Sequence, residues 1–231
     1  MLSLTSIDCP KDQQNLRNAL VRLYKRLDEI TKGLSPFGSF VSKDDLAKKF
    51  HLEVKTYPRL KMEFLPEDLE ALAGYAGMDR NDLLACATTP LERLMVATLW
   101  KQNDLGKIGH IAAGIVESNG VSIPSPKTQA PVFKQFGRHL SQPESQPIAD
   151  QHSLRAFRYL IDQDLSDKRH KQDSVKTEEV ERYVEWVQRL IRVVPRDNRA
   201  DQMYEFDRSM FALGKATKFF IEAALPPEKK N

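Results

Sequence analysis

Residues 98–120 read "TLWKQNDLGKIGHIAAGIVESNG". Leu105, Ile108, Ile111, Ala112 and Ile115 recur at helical spacing, so the stretch 104–117 is expected to be an amphipathic helix with Asp104 near its start. Three glycines, Gly106, Gly109 and Gly114, fall inside it. A glycine in a helix interior costs roughly 1 kcal/mol against alanine, so an ordinary surface helix would not carry this set. On the helix, Gly106, Gly109 and Ala113 form a small-residue strip. Lys107, His110, Gly114 and Glu117 form a polar strip beside it. Close approach of a second helix is the expected reason for the glycines, and a backbone bared to a ligand is the alternative. Gly106, Gly109 and Gly114 are therefore close-packing or ligand-approach candidates.

Working outward, nearly every other segment has the same helical character. Toward the N-terminus, Leu16, Leu20, Leu23, Leu27 and Ile30 step by 4, 3, 4 and 3 along one seam, and Gly33 is a plausible stop. "FVSKDDLAKKFHL" starts a short helix with Ser42 and Asp45 in a capping-box-like pair. Residues 51–65 alternate around Tyr57-Pro58 and are expected to form a small hairpin, the one strand-like signal in the chain. "PEDLEALAGYAG" places proline first and acids in the first turn. Asp79 with Asp82, and Thr89 with Glu92, mark two further helix starts.

Residues 121–149 are rich in proline and serine and read as a connector holding one short helix, "VFKQFGRHL". Helices are expected at about 150–164, 177–194 and 199–224. The last carries Met203, Phe206, Met210, Leu213, Thr217, Phe220 and Ala224 at alternating steps of 3 and 4, and ends at Pro226-Pro227. The fold class is thus all-α. A multihelical N-terminal domain is expected over 1–120, then the connector, then a C-terminal helical bundle or hairpin over 150–231. Leu16, Leu20, Leu23, Phe206, Met210 and Leu213 are expected in the core.

Composition narrows the function classes. The 231 residues include 35 Lys plus Arg and 32 Asp plus Glu, a net charge of +3, spread without a strongly basic segment. That lacks the electrostatic footprint of a dedicated nucleic-acid binder. The two cysteines, Cys9 and Cys86, form neither a metal spacing nor a disulfide framework. No apolar run approaches the roughly 18 residues of a membrane span. With no signal-peptide pattern, a cytoplasmic location is expected.

Catalytic signatures are sparse. Phosphate-loop and nucleophile-elbow motifs are absent. The histidines His51, His110, His139, His152 and His170 are scattered, with no helical pairing to a carboxylate, so no metal site and no cofactor is expected. Asp104, Lys107 and His110 share one stretch and are weak catalytic candidates: an imidazole can act as general base and an ammonium can stabilise an anion. "SDKRHKQDS" and the face of "TEEVERYVEWVQRLIRVVPRDNR" supply Lys168, Arg169, Lys171, Arg192, Arg196 and Arg199 as candidate contacts to nucleic acid or phosphate. Glu178 with Arg182, and Glu185 with Arg189, are expected i, i+4 ion pairs.

The leading expectation is a non-catalytic helical binding protein, a subunit or adaptor of a larger assembly. It would associate with a protein partner or with itself, with nucleic acid as a further candidate, and not with a membrane. One alternative is a helical nuclease or other phosphate-processing enzyme. The other is a winged-helix-like transcriptional regulator using residues 42–64, with Lys48 and Lys49 on the duplex.

Overall fold

A computed structural model describes residues 62–123, 129–162, 175–191 and 196–224, together with Lys25. These residues form eight α-helices and no strand, so the fold is all-α. The expected hairpin falls mostly outside the described residues, and its last residues, Met62–Leu65, are irregular chain. Leu16, Leu20, Leu23 and the helix expected from Ser42 also lie outside them.

Local chemistry sets the first three helices. In α1 (Pro66–Tyr75) the proline stands at the first turn, and Asp68 reaches back to accept from the Leu65 N–H at 2.9 Å. Asp79 caps α2 (Arg80–Ala85), accepting from the N–H groups of Asn81 and Asp82 at 2.8 and 3.0 Å. α3 (Pro90–Lys101) opens with a full capping box. Thr89 Oγ1 accepts from the Glu92 N–H, while Glu92 Oε2 accepts from the N–H groups of Thr88 and Thr89 and from the Thr88 hydroxyl. These donors hold the Glu92 carboxyl down to a pKa of about 2, the Thr89 N–H having the largest effect.

After α3 the chain reverses at Asn103, whose φ of 59° lies in the left-handed region that asparagine tolerates. Its side-chain oxygen accepts from Arg80 at 3.1 Å. This turn delays the glycine-marked helix, α4, which spans Lys107–Ser118 rather than starting at 104. α5 (Pro131–Ser141) packs along it. A Cβ on Gly114 would overlap the carbonyl oxygen of Lys134, and a Cβ on Gly137 would overlap that of Ile111. The backbones touch because neither glycine carries a side chain. On the other side of α4, Leu72, Tyr75 and Ala76 pack against Ala112 and Ala113, with Ile123 joining them. A Cβ on Gly109 would sit 3.3 Å from the carbonyl oxygens of Tyr75 and Ala76.

The remaining helices build the larger core. α6 (Gln151–Asp162) lies along α8 (Arg199–Ala224), and α7 (Thr177–Ile191) packs against both. The α6–α8 approach also uses a glycine: a Cβ on Gly214 would overlap the His152 carbonyl. Leu154, Phe157, Val180, Tyr183, Val187, Met203, Phe206, Met210 and Leu213 are buried, which includes the three core residues expected in the last helix. Trp186 fills the space between Phe157 and Phe206, with ring centroids 5.2 and 5.8 Å apart. Arg158 grips Glu179 with two nitrogens and ties α6 to α7.

Candidate functional site

The glycine-marked helix is packed rather than bared. Gly114 meets α5 and Gly109 meets the end of α1, while Gly106 has Arg80 beside it, its Nε 3.2 Å from where a Cβ would be. The expected polar strip of α4 faces α5. Glu117 pairs with Lys134 at 2.7 Å and with Arg138 at 3.4 Å, and Lys107 lies 4.5 Å over the Phe133 ring. Periodicity identified the strip, but it could not show that a second helix carried Gly137 opposite Gly114.

The catalytic candidates divide between two environments. Asp104 and Lys107 form an ion pair with each other. His110 is buried, and its imidazole is pushed below its ordinary pKa by burial first and by the Lys134 charge second. Among the phosphate candidates, Arg196 is exposed in a 3-10 turn at Arg196–Asn198, and Arg199 is half-buried at the start of α8. Lys168, Arg169, Lys171 and Arg192 lie outside the described residues. The Glu185–Arg189 pair forms as expected. Arg182 is found 5.7 Å over the Phe157 ring. Among the described residues no group of three or more His, Cys, Asp or Glu could hold a metal ion, and no helix is long and apolar enough to cross a membrane.

A polar cluster that sequence reasoning missed lies between the two helix pairs. The strap Gln146–Ile148 crosses from α5 to α6 and is held from both sides. Gln135 donates to the Pro147 carbonyl at 2.9 Å and to Gln146 Oε1 at 3.2 Å. His139 Nδ1 donates to the Gln146 carbonyl at 2.8 Å. Asp207 of α8 accepts from the Ile148 N–H at 3.1 Å. Asp207 is buried, and desolvation raises its carboxyl well above the ordinary range, while the Ile148 N–H opposes that rise. Burial also lowers the His139 imidazole. The 3.8 Å between His139 Nδ1 and Asp207 Oδ2 is therefore a contact between groups driven toward their neutral forms, not a strong ion pair.

Nearby, Asp150 caps α6 by accepting from the N–H groups of His152 and Ser153. Arg155 is buried, with one guanidinium nitrogen 3.0 Å from His152 Nδ1 and 3.2 Å from the Gly214 carbonyl. These groups bind backbone and one another, which is what locking a connector requires. The one sequence cue was Asp150 followed three residues later by Ser153.

The most unusual surface is α3. It contributes no buried residue, and no other described helix packs along it. Leu91 and Leu94 are each 65% exposed, Met95 54% and Trp100 64%. Leu91, Leu94 and Met95 share one face at i, i+3, i+4 spacing, and Trp100 lies on the opposite side. Leu84 of α2 and the lead-in residues Met62 and Leu65 are exposed as well. A helix apolar on both sides is normally enclosed, and 12 residues are too few to hold a helix by backbone bonds alone. The sequence had marked α3 only by its capping pattern.

Comparison with protein-family models, curated proteins and solved structures finds no match to this chain.

Proposed function

We propose that the protein works by binding: it is a helical module that lays α3 into an apolar groove of a protein partner. The supporting observation is the exposure of Leu91, Leu94 and Met95 along one face of a capped helix. Anchors at this spacing are how an amphipathic helix engages a groove, and a contiguous apolar surface of this kind marks an interaction site. The charge on α3 describes the rim of that groove. Glu92 is consumed by the cap, so Lys101 is the cation left beside the apolar face. It favours an acidic residue at the edge of the groove.

A photo-crosslinker tests this reading in the full-length chain. p-Benzoylphenylalanine in place of Met95 is expected to label one partner protein in cells, within an apolar peptide. The same group in place of Glu181, exposed on α7, is the control and is expected to give no such product. Equal labelling of the same proteins from both positions would contradict the reading.

A further inference from the structure

We propose that His139 is a two-position latch on the Gln146–Ile148 strap: its Nδ1–H holds the Gln146 carbonyl while the Asp207 carboxyl is neutral, and turns to Asp207 Oδ2 when that carboxyl ionises. The hold on the strap then passes from α5 to α8. The geometry sets one donor before two acceptors. A carbonyl oxygen carries no hydrogen, so the 2.8 Å contact with Gln146 puts the hydrogen on His139 Nδ1. Asp207 Oδ2 lies 3.8 Å from the same nitrogen, beyond hydrogen-bond distance but within a small swing of the ring. That oxygen is buried and has no hydrogen-bond partner among the described residues, whereas Oδ1 accepts from the Ile148 N–H at 3.1 Å.

Charge decides which acceptor wins. In the neutral carboxyl the proton belongs on Oδ2, because Oδ1 is engaged as an acceptor, and Oδ2 then offers His139 little. An ionised carboxylate buried without a donor is strongly disfavoured. A hydrogen bond to a charged acceptor is also roughly twice as strong as one between neutral groups. Turning the imidazole to Oδ2 answers both. The Ile148 N–H bond strengthens for the same reason, while the Gln146 carbonyl is released. Gln135 keeps its bond to the Pro147 carbonyl throughout, so the strap shifts without detaching.

The surrounding groups leave the choice to Asp207. Asp150, ahead of α6, opposes its ionisation, and Glu144 favours the charged form of His139. Arg208, next along α8, is paired with Glu205. α6 directs its buried Arg155 to the Gly214 carbonyl, farther along α8. α7 meets this part of α8 through the uncharged Trp186, against Phe206, and buries Tyr183 against Phe157. Burial favours the neutral Asp207, so the latch rests on Gln146 in acid and turns as pH rises.

The test is a pH titration of the purified full-length chain, labelled with carbon-13 and nitrogen-15, by NMR across the range in which it stays folded. The side-chain carboxyl carbon of Asp207, the carbonyl carbon of Gln146 and the amide proton of Ile148 are expected to titrate with one midpoint. The Gln146 carbon should move upfield as its hydrogen bond is lost, and the Ile148 proton downfield as its own strengthens. In Asp207→Asn both backbone signals should stay flat across that midpoint. If that variant does not fold, the native titration decides by itself. A Gln146 carbonyl that stays fixed while Asp207 ionises would overturn the proposal. So would an Ile148 bond that weakens together with the Gln146 bond, as general loosening of the strap would give. An Asp207 carboxyl that never ionises in the folded chain, or equal movement of Gln146 in the variant, would overturn it as well.

Discussion

Gly114 and Gly137 are reciprocal: a methyl group on either would overlap a backbone carbonyl of the facing helix, Lys134 for the first and Ile111 for the second. The roughly 1 kcal/mol that each glycine costs its own helix is offset by the contact it permits. Gly114→Ala and Gly137→Ala are each expected to destabilise the fold by about 1–3 kcal/mol or more, as overpacking does. For a chain of this size that is a fall in Tm of several degrees. Gly74→Ala is the control, because nothing lies within 4 Å of a Cβ there. It is expected to leave Tm unchanged or raise it slightly. Thermal unfolding of the three variants checks the set.

Asp207 makes stability fall as pH rises. Its folded pKa is raised by burial above the ordinary value of 3.8. Its contribution is therefore fully present below that ordinary value and is lost as pH climbs through the raised one. Asp207→Asn removes the titration and keeps an oxygen to accept from the Ile148 N–H. Urea unfolding across pH should show the variant gaining on the native chain as pH rises above about 4. Parallel profiles for the two chains would contradict this.

Three histidines, two buried and one half-buried, act in the opposite direction. His139, His110 and His152 all have folded pKa values below the ordinary 6.5, with burial the leading cause in each. Their stabilisation is present above 6.5 and is lost as pH falls through the lowered values, because unfolding frees them to take protons. His139→Asn, whose amide can still donate to the Gln146 carbonyl, is expected to lose less stability than the native chain between pH 6.5 and mildly acidic conditions. An equal loss in both would show that His139 does not titrate with unfolding.

Much of the fold was legible in the sequence. The bounds of α8 match the expected 199–224 because its apolar row is unbroken. α4 starts later than expected because the turn at Asn103 depends on a left-handed φ and on a side chain of α2, neither visible in periodicity. The meaning of the glycines was readable as close approach, yet their partner was not: Gly137 belongs to the stretch read as a connector, and its pairing with Gly114 is tertiary. Asp207 was hidden for a related reason. A carboxylate in a helical row reads as solvent-facing, and the Ile148 N–H that justifies its burial is 59 residues away in sequence. The α3 surface was missed from the other side, since leucines at helical spacing read as core until a structure shows them uncovered.

The most direct test of the docking account is partner capture by the full-length chain carrying Leu91→Asp and Leu94→Asp, scored against the protein labelled from position 95. Both residues are exposed, so the variant should unfold at nearly the native temperature while capture of that protein is lost. Native-level capture by a folded Leu91→Asp, Leu94→Asp chain would contradict the central claim that α3 is the docking surface.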